Sequence, residues 1–200
     1  MSANRKLKQA PQPSTRRAVR AASAETRAKL TAAALKEFNQ HGYFGTDTNK
    51  IARRAGFAPQ TFYRWFRDKT EIFLAVYRLW EEQERDMLAK LIAARAPAGD
   101  LVEAAVAHHR AYRTFRRSLR TLSYDEPEVR NARAQSRLRQ IESIKSWIKP
   151  ARPSTAEVAT ILLQMERLSD ALAEGEFADL DVDEKAAKAA LAALQLSLRR

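Results

Sequence analysis

Apolar residues recur every four positions at Leu30, Ala34 and Phe38, which predicts a helix from near Ala24 to His41, stopped by Gly42. Asp47 or Thr48 caps a short second helix whose Ile51, Ala52 and Ala55 point inward, and Gly56 relieves the turn behind it. Pro59, tolerated in an opening turn, starts a third helix to Phe66, anchored by Phe62 and Phe66 four residues apart. The stripe Ile72, Val76, Leu79, Trp80, Met87 and Leu91 predicts a long helix from Lys69 to about Ala94, ended by Pro97 and Gly99. Further helices are expected near 100–115, 117–123, 127–148, 155–174 and 182–198, with breaks at Pro127, at Pro150 with Pro153, and at Gly175. No segment alternates with period two, so the fold class is all-α.

The second and third helices with their glycine-bearing turn have the layout of a helix-turn-helix, whose second helix enters the DNA major groove. With Phe62 and Phe66 turned inward, Gln60, Thr61, Tyr63, Arg64 and Trp65 are left facing outward. Gln pairs bidentately with adenine, Arg with guanine, and a Thr methyl touches the thymine methyl. Tyr63, Trp65 and Lys69 are better suited to phosphates, which fix register without reading sequence. Lys69 opens the next helix, where free backbone amides also favour a phosphate. Thr46 and Thr48 are expected to offer hydroxyls and amides to the DNA backbone in the same way. The bland alternative is an apolar cluster completed by Tyr63 and Trp65 beside a solvated Arg64.

Charge sharpens this picture. The net charge is +12, and residues 1–69 hold 15 Lys/Arg against 4 Asp/Glu, while residues 70–200 are nearly balanced. A basic patch releases counterions from a phosphate backbone and gives salt-sensitive affinity, although a solubilising surface would show the same charge. Residues 1–22 carry six of those bases, no acid, and two prolines. They read as a flexible basic arm, whose Arg16, Arg17 and Arg20 are candidates for lying along phosphates or entering a minor groove. The chain has no cysteine, which excludes disulfides, a thiol nucleophile and a thiolate metal site. No apolar run approaches the roughly 18 residues that span a bilayer, and no secretory signal is evident, so a cytoplasmic protein is expected. No nucleophile–base pair, Gly-rich phosphate loop or metal spacing marks an enzyme. His108 and His109 point in different directions on a helix and lack a third ligand, so neither a metal nor another cofactor is expected.

From about Ala24 to Val76 the chain resembles the DNA-binding domain of the TetR family of bacterial regulators. The matching residues are Leu30, Ala33, Ala34, Phe38 and Gly42, then Thr46, Ile51, Ala52, Ala55 and Gly56, then Thr61, Tyr63, Phe66 and Lys69. The resemblance covers roughly a quarter of the chain and implies that Thr46, Thr61, Tyr63, Trp65 and Lys69 touch phosphates. It places Pro59, Gln60 and Arg64 nearer the bases. Two positions depart from the family pattern. Ala58 stands where Ser or Thr usually caps the reading helix, a loss of about 1 kcal/mol if uncompensated. Gln60 stands where Gly is frequent.

The resemblance also implies a second helical domain that binds a small effector and dimerises. The organisation is then an arm over 1–22, a helix-turn-helix domain over 23–69 and an effector-binding and dimerisation domain over 70–200. Candidate effector contacts are Trp80, His109, Tyr112, Phe115, Tyr124, Trp147 and Met165, since pockets are mostly apolar with a few placed polar groups. Helices 155–174 and 182–198 are amphipathic. Their Ile161, Met165, Leu168, Leu172, Ala190 and Leu194 are candidates for a four-helix interface between two copies. Residues 110–152 hold twelve Lys/Arg against four acids, and 155–200 hold five against nine. That middle segment favours either an anionic effector or, more simply, pairing with the acidic C-terminal part. The leading expectation is a dimeric, ligand-responsive repressor that reads a near-palindromic operator on double-stranded DNA. The alternative is an architectural DNA-binding protein with no effector.

Overall fold

The computed structural model describes the backbone of residues 13–147 and 153–197, with side chains over 21–146 and 153–197. Among the described residues every regular element is helical. The first helix, α1, runs Pro13–His41 and so starts about ten residues before the expected point. Residues 14–29 contain no Gly or Pro and are rich in Ala and Arg, both strong helix formers, and Pro13 fits a first turn. Arg16, Arg17 and Arg20 therefore lie on a helical backbone instead of an arm, while their side chains fall outside the described residues. Gly42, at φ +70°, ends α1 in the left-handed conformation, and its amide donates to the Phe38 carbonyl at 3.0 Å.

Helix α2, Thr48–Arg54, is capped by Asp47, whose Oδ1 accepts from the Lys50 amide at 2.8 Å. Helix α3 is only Pro59–Phe62, shorter than the expected run to Phe66. Ala58 offers no side-chain cap, and the aromatic residues Phe62, Tyr63, Trp65 and Phe66, which lose rotamer freedom in a helix, crowd its end. The chain continues through tight turns in which the Trp65 and Phe66 amides both donate to the Phe62 carbonyl. Helix α4, Lys69–Ala93, is capped by Asp68.

The rest comprises α5 (Ala98–Ala111), α6 (Arg113–Asp125), α7 (Pro127–Trp147), α8 (Thr155–Glu174) and α9 (Glu184–Ser197). The break between α5 and α6 falls at Tyr112, not near 116 as the sequence suggests. Ser154 and Glu157 form a reciprocal capping box at the start of α8, and Gly175 at φ +85° ends it. A short 3-10 turn, Ala178–Leu180, leads to α9.

One apolar cluster joins Leu30, Ala34 and Phe38 of α1 to Ile51 of α2, Phe62 and Phe66, and Ile72, Phe73 and Val76 of α4. It continues into Phe115, Leu119 and Leu122 of α6, with the Phe73 and Phe115 rings 5.0 Å apart. Helix α4 therefore belongs to both halves of the chain. A second cluster gathers Val102, Val106, Leu172, Ala187 and Leu191 from α5, α8 and α9. Among the described residues no helix is long and apolar enough to cross a membrane.

Candidate nucleic-acid interface

Phe62 and Phe66 are sealed in the core, as their spacing requires, and this fixes which side chains α3 turns outward. Gln60, Tyr63 and Arg64 are exposed, whereas Pro59, Thr61 and Trp65 are half-buried. The Tyr63 hydroxyl lies 3.0 Å from Thr48 Oγ1, which brings the start of α2 and the end of α3 together at the surface. Trp65 packs against the apolar cluster, so its ring is part support and only part contact surface.

Two expected phosphate contacts are placed differently. Thr46 is buried, and its hydroxyl donates to Glu37 Oε2 at 2.7 Å instead of facing outward. Glu37 also accepts from Arg54 Nε at 2.5 Å, so one carboxylate on α1 grips the loop before α2 and the last turn of α2. Burial alone would raise the Glu37 carboxyl; the hydrogen bonds from Thr46 and Arg54 hold it below its ordinary value. Lys69 donates from Nζ to the carbonyls of Tyr43 at 2.8 Å and Thr46 at 3.1 Å, and it sits 4.1 Å from the centre of the Tyr43 ring. Partial burial lowers its pKa. Lys69 thus closes the loop between α1 and α2, satisfying carbonyls that water would otherwise reach.

Glu37 was not legible as a site residue, because a carboxylate on an amphipathic helix ordinarily reads as solvated. Asp47, the cap of α2, is an exposed acid beside Thr48, at the end of α2 expected to meet phosphate.

The effector candidates do not converge. Phe115 and Trp80 are core residues, and His109 is buried in a polar cluster. Tyr112 is half-buried, with its hydroxyl donating to Gln83 at 3.3 Å. Met165 packs on the second cluster, and Tyr124 is 76% exposed. The Trp147 side chain lies outside the described residues. A shallow open depression is lined by Leu163, Gln164, Arg167, Leu168 and Leu194, none of which is in that set.

The basic middle is neutralised from within the chain. Arg133 and Arg137 hold Glu166, Arg116 holds Asp170, and Arg120 holds both Asp170 and Glu174. Pairing with the acidic C-terminal part, not a cradle for an anion, is what the charge asymmetry reflects. Among the interface candidates, Ile161, Met165, Leu168 and Leu194 are half-buried and Ala190 is exposed. Leu172 instead fills the chain's own second cluster at 3% exposure. Leu163 and Leu196, both exposed, are apolar residues on these helices that the periodicity left out. Among the described residues no group of three or more His, Cys, Asp or Glu side chains is arranged so that it could hold a metal ion.

Residues 30–76 match the model of the family described as bacterial regulatory proteins, tetR family. Comparison with curated proteins gives no match. Among solved structures, a Rhodococcus sp. protein named as a TetR-family transcriptional regulator superposes with a TM-score of 0.65 at 16% identity, covering 88% of this chain and 100% of that one. A transcriptional regulator from Streptomyces coelicolor gives 0.65 at 16% identity, covering 85% and 98%. A transcriptional regulator from Saccharomonospora viridis, solved in complex with choline, gives 0.64 at 17% identity, covering 84% and 94%.

Proposed function

From a chain that resembles the TetR-family regulators, by sequence over residues 30–76 and by fold over most of its length, we propose a DNA-binding transcription regulator of that family. It acts as a homodimer and as a ligand-responsive repressor. Two copies of α3, carried about one helical turn apart, read successive major grooves of a near-palindromic operator.

The observation that carries this reading is the division of α3 and its following turn. Phe62 and Phe66 have essentially no exposure, while Gln60, Tyr63 and Arg64 stand out together. Gln60 and Arg64 are the base readers, Tyr63 and Thr48 the phosphate contacts, and Lys69 the residue that holds the loop behind them. The choline-bound neighbour supports a small-molecule effector in this fold, and the apolar residues left open on α8 and α9 support a second copy as partner. The effector acts through its difference in affinity for the two states of the dimer, one matching the operator spacing and one not.

Fluorescence anisotropy with duplexes from a random pool tests this reading. A regulator gives saturable binding of two chains per duplex, at least about a thousandfold tighter than to scrambled DNA. Equal affinity for both duplexes would favour an architectural DNA-binding protein.

A further inference from the structure

Where α4, α5, α6 and α8 meet, the interior is charged. His109 on α5 is 4% exposed, and both ring nitrogens face carboxylates. Nδ1 lies 2.9 Å from Asp170 of α8, and Nε2 lies 3.1 Å from Glu84 of α4. Two carboxylates are satisfied together only when both nitrogens carry hydrogen, so this geometry belongs to the imidazolium.

The neighbouring charges complete the setting. From α6, Arg116 donates to Asp170 at 3.0 and 3.1 Å and lies 4.5 Å over the Trp80 ring, and Arg120 approaches Asp170 to 2.7 Å. Glu166 of α8 lies 3.5 Å from Arg116 and is held by Arg133 and Arg137 of α7. Also on α4, Glu81 pairs with Ser136 and Arg139 of α7. On α5, His108 stacks on Trp80 and burial pushes it toward the neutral form. Arg110 turns away to Glu184, and Lys188 of α9 serves Glu103 and Glu184.

We propose that His109 is a proton-operated clasp. Charged, it ties Glu84 of α4 and Asp170 of α8 to α5; on losing its Nε2 proton to solvent it releases Glu84 and frees the second half of α4. The Nδ1 proton stays because Asp170 is fully enclosed by cations and His109. The Glu84 side chain is 17% exposed and can turn to water. Without the Nε2 proton, a lone pair and a carboxylate oxygen face each other across about the present distance and repel.

Burial and Arg116 push the imidazole pKa down, but the hydrogen bonds it donates to Asp170 and Glu84 outweigh them and raise it. The clasp is therefore fully closed below the ordinary histidine value of about 6.5 and opens as pH rises through the raised value. Because α4 also supplies Ile72, Phe73 and Val76 to the N-terminal core, the clasp lies on the helix shared by both halves.

The test combines NMR titration of the full chain with amide exchange. His109, assigned through His109→Gln, is expected to titrate above about 6.5 with both nitrogens protonated at lower pH. After correction for intrinsic exchange, opening of residues 81–93 should increase up to about tenfold per pH unit above that point. In Glu84→Gln the amide can donate to the neutral imidazole, so the clasp survives deprotonation and this increase should vanish. A His109 that titrates at or below the ordinary value, or the same pH dependence in both proteins, would overturn the proposal.

Discussion

The hydroxyl of Thr46 donates to the buried carboxylate of Glu37 across 2.7 Å, and this bond holds its side chain inward. The loop that enters α2 is thus fastened to α1 from inside, with Arg54 closing the other end of α2 on the same carboxylate.

Thr46→Val should lower stability by about 1–3 kcal/mol, because Glu37 loses a hydrogen bond in a buried site. It should leave the salt dependence of DNA binding unchanged. Thr48→Val should do the opposite, weakening DNA binding with little change in unfolding. Urea unfolding and anisotropy titration on both variants separate the two roles.

Asp47 caps α2 yet places a negative charge beside Thr48 and Tyr63. Asn caps about as well as Asp. Asp47→Asn should therefore keep the thermal midpoint and tighten DNA binding several-fold at low salt, with the gain shrinking as salt screens it. An unchanged affinity at low ionic strength would place Asp47 away from phosphate.

Asp170 is enclosed by His109, Arg116 and Arg120. Burial would raise its carboxyl, but these partners hold it far below the ordinary carboxylate range. A depressed carboxyl contributes stability that is present above its unfolded value and lost as pH falls toward the folded one. Unfolding midpoints measured from pH 6 downward should accordingly fall below about pH 4. Asp170→Asn should flatten that fall while losing about 3–5 kcal/mol at neutral pH, since it takes from buried Arg116 the nearer of its two carboxylates.

On α8, Leu163 and Leu172 point to different fates. Leu172→Ala opens a cavity between α5, α8 and α9 and should lower stability by about 2–5 kcal/mol without changing mass in solution. Leu163→Glu should leave the monomer folded and shift sedimentation from dimer to monomer. A dimer unaffected by Leu163→Glu would move the interface off this face.

Much of the reading head was legible because its signals are local. Phe62 and Phe66 at helical spacing, Gly42 and Gly56 at positive φ, and Asp47 before α2 each act within one turn of chain. The shortening of α3 was less legible: periodicity marks where a helix is useful, while the missing cap at Ala58 and the aromatic run decide where it stops. Glu37 escaped, and Lys69 reads as a phosphate contact and not as the closure of a loop, because their partners come from other elements. Burial of a carboxylate, or capture of an ammonium by two carbonyls, leaves no trace in spacing. The charge asymmetry between residues 110–152 and 155–200 foretold that α6 and α7 pair with α8. It did not foretell that His109, on α5, would sit between Glu84 and Asp170.

In the proposed function Gln60 and Arg64 read bases from a paired reading head. Binding selection from random DNA at near-physiological salt, run with the wild-type chain and with Gln60→Ala and Arg64→Ala, tests it most directly. A near-palindromic wild-type consensus is expected, with each variant losing about 1–3 kcal/mol of discrimination at a base pair repeated symmetrically in both half-sites. A wild-type chain that enriches no sequence, or variants that keep the consensus unchanged, would contradict it.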